Sequence, residues 1–332
     1  MKSLVTGGAG FIGRHVVKNL LEQGHSVVVL DDFSGGFYEN LREFRHLTII
    51  DGSICDVKLV NDLFEKNKFD YVYHLAAYAA EGLSHFIRNF NYTNNVIGSI
   101  NLINASIKNN VKCFVFISSV AVYGTGVCPM KEEMFPKPED PYGIAKFTIE
   151  QDLETAYRIF GLSYVVFRLH NVYGEYQNIG DKYRNVIGIF MNQILNNEDV
   201  TIYGDGTQIR SFSYIDDVVP YIANSVNVKE CYHQVFNVGS DNYCTVNELV
   251  KIIGENFARV RKIRYVPERL EVKVVYASHE KIKKAMGIVN ETTLQNGICK
   301  MSEFVKLHGP RKTKNFHSIE ITKKLPQNWI NE

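Results

Sequence analysis

The sequence predicts an α/β protein: a doubly wound parallel sheet followed by a smaller mixed α/β domain over a cleft. Three observations carry this. "SLVTGGAGFIGRHVV" places Gly7, Gly10 and Gly13 between a β-branched run and an amphipathic run; short apolar runs and helical runs then alternate; and the alternation loosens beyond residue 172. Ser3–Thr6 reads as a buried strand and the stretch from Arg14 to Gly24 as a helix. A strand that breaks at such glycines and restarts as a helix is the start of a Rossmann-type dinucleotide site. The first glycine permits the turn, the second lets backbone approach a pyrophosphate, and the third lets helix and strand pack closely. The helix N-terminus adds free N–H groups and a positive dipole end.

The elements follow in order. Gly24 and His25 turn the chain into a strand over Ser26–Leu30, ending on Asp31 and Asp32. "HLTIID", "YVYHLAA", "CFVFISS" and "SYVVFRL" read as further strands. "VKLVNDLFEKN", "NVIGSINLINASIKNN" and "PYGIAKFTIEQDLETAYRIFG" read as the helices between them. Near-continuous apolar strands in this rhythm specify a parallel sheet covered on both faces. Residues 1–172 are therefore expected to form the dinucleotide-binding domain and 173–332 mainly a substrate domain, with a segment near 205–240 returning to the first. The end, "GPRKTKNFHSIEITKKLPQNWINE", is basic and polar and reads as a solvated or loosely docked tail.

Composition narrows the function classes. The chain has 332 residues, 45% of them hydrophobic, enough for a sizeable core. Lys+Arg 37 against Asp+Glu 36 leaves a net charge of +1, so no global field favours nucleic acid or an anionic membrane. No apolar run reaches membrane-spanning length, and the first residues enter a strand at once, so neither a membrane span nor a signal peptide is expected. The 6 cysteines are scattered without paired spacing, which suits reduced thiols in a cytoplasmic protein and neither a metal nor a disulfide. The histidines, His74 and His170 among them, lack ligand spacing and read as packing or surface residues.

Three features point to chemistry. A carboxylate at the tip of the second strand, Asp31 with Asp32 beside it, lies where adenosine ribose hydroxyls sit, accepting from the 2′-OH of NAD and repelling the 2′-phosphate of NADP. Ser118 and Ser119 end the strand "CFVFISS", at the edge where ligands of parallel sheets gather. Tyr142 and Lys146 in "PYGIAK" are four apart after Pro141, on one face of a helix's first turns. A free phenol has a pKa of about 10, so a base near neutrality needs roughly three units, about 4 kcal/mol, from the lysine charge and a cationic nicotinamide.

Together these residues resemble the extended short-chain dehydrogenase/reductase family, in particular its nucleotide-sugar epimerases and dehydratases. The likeness runs from Met1 to about Met301 through "TGGAGFIG", "LDDF", "HLAAYA", "NNVIGSINL", "ISSVAVYG", "PYGIAK", "RLHNVYG", "YGDGTQIRSFSYIDDV" and "FNVGSDNYCTVNELV". It implies Tyr142 as the base, Lys146 as its tuner and ribose ligand, and Ser119 as the partner of the substrate hydroxyl. It implies an NAD site made by Gly7, Gly10, Phe11, Ile12 and Gly13 at the first turn and by Asp31 and Asp32 at the second strand. Ser53 and Ile54, then Leu75, Ala76 and Ala77, complete that site with Asn94, Ser118, Tyr142 and Lys146. Asn171, Asn185, Arg210 and Arg269 are implied for the nucleotide diphosphate. Two positions depart from the family pattern: Ser53 stands where an Asp is usual, and "ERLEVK" follows where Arg269 usually precedes Gly-Asp. The resemblance also implies a homodimer, through the helices around 94–109 and after Tyr142.

Within the family the likeness is greatest to the UDP-glucose (UDP-galactose) 4-epimerases. Dehydratases carry an acid and a base just after the catalytic Ser or Thr, whereas Val120 and Ala121 follow Ser119 here and can move no proton. Reversible hydride transfer at C4 of a UDP-hexose is the reaction that remains. Two alternatives stay open: a dehydratase whose carboxylate is Glu81 of "YAAEGLSHF", and a non-catalytic NAD-binding scaffold, against which the intact Ser119, Tyr142 and Lys146 argue.

Overall fold

The computed structural model describes residues 1–45, 47–181, 183, 185–268, 272–287, 291–310, 319–326 and 329. The N-terminal half alternates β1 (Lys2–Thr6), α1 (Phe11–Glu22), β2 (Ser26–Asp31), β3 (Thr48–Asp51), α2 (Val57–Asn67) and β4 (Tyr71–His74). It continues with α3 (Gly98–Lys108), β5 (Cys113–Ser119), α4 (Pro141–Phe160) and β6 (Tyr164–Leu169). A later strand, β7 (Gln234–Val238), joins the outer edge of the same sheet, whose order is β7-β6-β5-β4-β1-β2-β3, all parallel. The chain winds one way from β1 to β3 and the other way from β4 to β6. The direction therefore switches between β1 and β4, and a crevice opens at the carboxyl ends of those strands.

Successive residues of one strand serve opposite cores, as the pleat requires. In β1, Leu4 packs with Val28, Val72, Phe114 and Val166 on one face. Val5 packs with Val29, Tyr73, Val115, Phe167 and the α1 residues Val16, Val17 and Leu20 on the other. That second core runs on without a break into the C-terminal half, through Phe190, Ile215, Leu249 and Ile298. There the parallel rhythm gives way to short sheets: Val172–Tyr173 with Ser213–Tyr214, Ile263–Val266 with Val200–Tyr203, and Ile209–Ser211 between Tyr243–Thr245 and Val274–Val275.

One element differs from the sequence reading for a physical reason, and one alternative that reading left open is decided. Helix α1 starts at Phe11 rather than Arg14, because Gly13 belongs to the first helical turn instead of preceding it; a Cβ on Gly13 would stand 2.1 Å from the Gly7 carbonyl oxygen. The described part of the C-terminal segment takes the docked alternative through its apolar residues, while Glu320 to Lys324 stay exposed. Ile319, Leu325 and Trp329, spaced among polar residues, pack on Ala80, Leu83 and Ile87. No described helix is long and apolar enough to cross a membrane.

Candidate active site

The crevice is a cleft of about 1470 Å³ along the carboxyl edge of the sheet. A pocket for one small ligand spans roughly 300–1,000 Å³, so this one has room for two sizeable molecules end to end.

Its first end is a glycine cradle. Gly7 takes φ +71, and a Cβ there would meet the Ala76 backbone nitrogen at 2.7 Å, so only glycine lets β1 turn against the segment after β4. Gly10 caps α1 without a side-chain partner, and Gly7, Gly10, Phe11, Ile12 and Gly13 all line the cleft. Asp31, the last residue of β2, lies under this turn. Its carboxylate accepts from the Ala9 N–H (2.8 Å) and the Phe33 N–H (2.8 Å), and burial raises its pKa against those two bonds. Asp32 is exposed and accepts from Ser34. Gly52 and Ile54 continue the wall, but Ser53 between them does not reach it; its Oγ accepts from the Cys55 N–H at 3.1 Å. Leu75, Ala76 and Ala77 form the floor. Asn94 faces the cleft from a π-helical turn, Thr93–Ile97, and donates to Asn95 at 3.1 Å. A bulge of this kind is frequent where a helix must present side chains to a ligand. A pyrophosphate approached by glycine backbone, and a carboxylate where the ribose lies, fit NAD.

The cleft also holds the three residues expected to be catalytic, Ser119, Tyr142 and Lys146. Helix α4 starts at Pro141, capped by Asp140, whose carboxylate accepts from the Gly143 N–H at 2.9 Å. Tyr142 and Lys146 therefore share a face one turn apart, with the lysine Nζ 5.7 Å from the tyrosine ring centroid. Lys146 is buried and donates to the Ile117 carbonyl at 2.7 Å, which ties α4 to β5. Burial lowers its pKa to about 7, with the Glu150 charge pulling the other way. Ser119 ends β5 and accepts from the Ala121 N–H at 3.1 Å, capping the short turn Val120–Tyr123. Ser118 donates to Glu150, whose carboxylate also accepts from Arg168 Nη2 at 2.6 Å. Glu81 and His85 line the same region from the other side.

The far end gathers the residues implied for the diphosphate. Asn171 sits just after β6 at φ +41, in the left-handed region that Asn tolerates, and donates to the Ser211 carbonyl at 2.9 Å. Asn185 caps the helix Val186–Leu195 and also donates to the Val172 carbonyl at 2.8 Å. Arg210 donates to the carbonyls of Ile209 (2.9 Å) and Lys273 (3.0 Å), and all three residues line the cleft. Arg269 lies outside the described residues. Arg264 and Lys273, which the sequence reading did not single out, add positive charge to the cleft wall. Among the described residues no cluster of His, Cys, Asp or Glu could hold a metal ion.

The buried pair behind Lys146 was also missed. Glu150 lies one turn beyond the lysine, and Arg168 is the single cation in a strand otherwise apolar or aromatic; both are fully packed. An acid four residues after Lys146 and a lone arginine in "VVFRL" were the available signals.

A model described as the NAD dependent epimerase/dehydratase family matches residues 3–239. The chain belongs to that family. Among solved structures, this family member is similar to the UDP-glucose 4-epimerase of Thermotoga maritima solved with UDP-glucose, at 36% identity and TM-score 0.88, over 93% of this chain and 99% of that one. It is 31% identical to the UDP-glucose 4-epimerase of Corynebacterium glutamicum, over 88% of this chain and 92% of the relative. It is also 31% identical to the dTDP-D-glucose 4,6-dehydratase of Mus musculus, over 97% and 91%. The family is NAD dependent, and the glycine cradle with Asp31 suits that cofactor. Overall identity does not separate epimerase from dehydratase here. The residues beside the base must.

Proposed function

We propose that this family member is an NAD-dependent nucleotide-sugar 4-epimerase acting on a UDP-hexose. One observation carries the choice: Val120 and Ala121, both on the cleft wall directly after Ser119, offer no group that can donate or accept a proton. Elimination of water needs an acid and a base beside the hexose, whereas inversion at C4 needs only one base. When bound, NAD supplies reversible acceptance of the C4 hydride. Tyr142 takes the C4 hydroxyl proton and later returns it. Ser119 hydrogen-bonds that hydroxyl and orients it, and Lys146 favours the phenolate by its charge. Asn171, Asn185, Arg210 and Arg269 hold the diphosphate, so the sugar can turn about its phosphate linkage and present its other face.

In this reading residues 1–172 bind NAD and 173–332 mainly bind the nucleotide sugar, with the segment near 205–240 belonging to the first half. Gly7, Gly10, Phe11, Ile12, Gly13, Asp31, Asp32, Ile54, Leu75, Ala76, Ala77, Asn94 and Ser118 serve the cofactor. The enzyme works as a cytoplasmic homodimer. Apolar side chains left exposed on the helical face, Ile97 and Ile144, support the dimer, and scattered free thiols support a reducing compartment. The test is NMR of the purified protein with a panel of UDP-sugars and no added NAD. Interconversion of C4 epimers is expected, and inertness toward every member of the panel would refute the reading. The second reading, a dehydratase, draws on Glu81, a carboxylate on the cleft wall.

A further inference from the structure

The chain crosses back over its N-terminal half before it ends, and Glu320 fixes the crossing. The N–H groups of Glu320 and Ile321 donate to the Phe86 carbonyl at 2.8 and 3.1 Å. The Glu320 carboxylate accepts from the N–H groups of Asn89 (2.7 Å) and Phe90 (2.8 Å). Ile319, Leu325 and Trp329 then complete an apolar cluster with Ala80, Leu83 and Ile87.

Trp329, the single tryptophan of the sequence, is only 8% exposed, yet it lines the cleft. Its ring lies 5.0 Å from that of Tyr183, edge to face, and its Cη2 is in van der Waals contact distance of the Cβ position at Gly82. The turn beneath, Glu81–Ser84, reaches the reactive centre: Ser84 Oγ donates to Asp140 at 3.4 Å, and Asp140 caps the helix that carries Tyr142. Trp329 thus stands at the Tyr142 end of the cleft, away from the glycine cradle that marks the cofactor's phosphates. Val120 and Ala121, also apolar, line the same cleft.

A hexose presents C–H faces between its hydroxyls. An indole offers a large rigid surface to such a face at little entropic cost. We propose that Trp329 is a wall of the sugar subsite, packed against the hexose of the bound nucleotide sugar, and that residues 319–326 form a strap that holds it there. This rests on the nucleotide-sugar reading of the site, though not on which reaction the sugar undergoes.

Because the chain has one tryptophan, its emission reports this position alone. The holoenzyme carrying Tyr142→Phe, which binds without turnover, is titrated with UDP-galactose and with UDP, binding being followed in parallel by calorimetry. UDP-galactose should shift or quench the emission, and saturating UDP should leave it at the level of the free holoenzyme. In the otherwise wild-type chain, Trp329→Ala should raise KM for the sugar nucleotide roughly five- to tenfold, the loss of about one aromatic contact, with inhibition by UDP unchanged within about twofold. Glu320→Ala, which releases the strap, should move KM the same way. Should Trp329→Ala fail to fold, the titration still decides. Saturation by UDP-galactose with unchanged emission, or the whole change reproduced by UDP, overturns the proposal. Calorimetry detecting no nucleotide sugar overturns both it and the functional reading. A tryptophan response coupled to a product of lower mass removes the epimerase reading and leaves the wall in place.

Discussion

Lys146 Nζ stands 2.7 Å from the carbonyl oxygen of Ile117, the residue just before the serine pair that ends β5. This bond crosses from helix to sheet, and it sets where Tyr142 lies relative to Ser119. The two residues come from elements more than twenty positions apart, and a shift of either element would separate base from hydroxyl partner. Glu150, the next turn along α4, binds Ser118 and Arg168 and so clamps the same helix to β5 and also to β6.

Tyr142→Phe removes the proton acceptor and keeps the ring that packs at the start of α4. Turnover should fall by about 10²–10⁴-fold, the usual share of a general base. NAD content and UDP-sugar affinity, measured by absorbance and calorimetry, should stay within twofold. Unchanged turnover would eliminate the mechanism.

Glu150→Gln tests the electrostatics through the pH profile. Lys146 is held near a pKa of about 7 by burial, which lowers it, and by the Glu150 charge, which raises it. Without that charge the pKa falls further, so the ammonium is lost at lower pH. Since the charged lysine favours the phenolate, the alkaline limb of kcat should move to lower pH. The melting temperature should fall too, because breaking a buried pair such as Arg168 with Glu150 costs about 3–5 kcal/mol. A limb that stays where it was would show that the Glu150 charge does not reach catalysis.

The sheet was legible because each of its first six strands is a short apolar run, and the β1–α1 junction needs glycine at Gly7 and Gly13, where a Cβ would meet backbone at 2.7 and 2.1 Å. The shared face of Tyr142 and Lys146 was legible for a related reason: they are separated by one helical turn, a spacing visible in one dimension. What was not legible needed tertiary contact. Trp329 read as part of a polar tail because its partners, Ala80, Leu83 and Ile87, lie far back in the chain. Glu150 was passed over, because its partner Arg168 lies on a strand eighteen residues on and only the fold brings the two together. Ser53 was placed at the cofactor by the family resemblance, where an Asp is usual, and its hydroxyl accepts locally from the Cys55 N–H, a bond typical of a serine just ahead of a helix.

Asp31 should set the choice between NAD and NADP. Its carboxylate is already oriented by two backbone N–H groups, so it presents fixed negative charge at the end of β2. The purified protein should take up NAD far better than NADP, and Asp31→Asn should narrow that ratio by removing the charge that repels a 2′-phosphate. Direct binding assays with both cofactors check this. Equal affinity in the unmodified protein would refute the selection.

The dimer prediction concerns α3 and α4. Ile97 is 53% exposed and Ile144 38% exposed on the outward side of the helices around them, more apolar surface than a monomer benefits from leaving in water. Sedimentation velocity at micromolar concentration should give the mass of two chains. A single-chain mass there would count decisively against the pairing.

The last prediction separates the two enzyme readings at Glu81. An epimerase returns the hydride to the carbon it came from, so substrate and product have equal mass. A dehydratase loses water, and its product is lighter by one water molecule. Glu81 lies on the cleft wall at the first position of the turn Glu81–Ser84, beside His85. It is the carboxylate a dehydration would recruit in place of the silent Val120 and Ala121. If inversion at C4 is the reaction, Glu81 has no proton to move. Glu81→Gln should then keep kcat within about threefold, far short of the 10²–10⁴-fold loss expected of an acid or base in the chemical step. Mass spectrometry of overnight incubations with UDP-glucose and UDP-galactose should find products of unchanged mass for both the variant and the unmodified chain. A dehydrated sugar nucleotide as the main product, abolished by Glu81→Gln, would sink the epimerase reading and make Glu81 the missing acid or base.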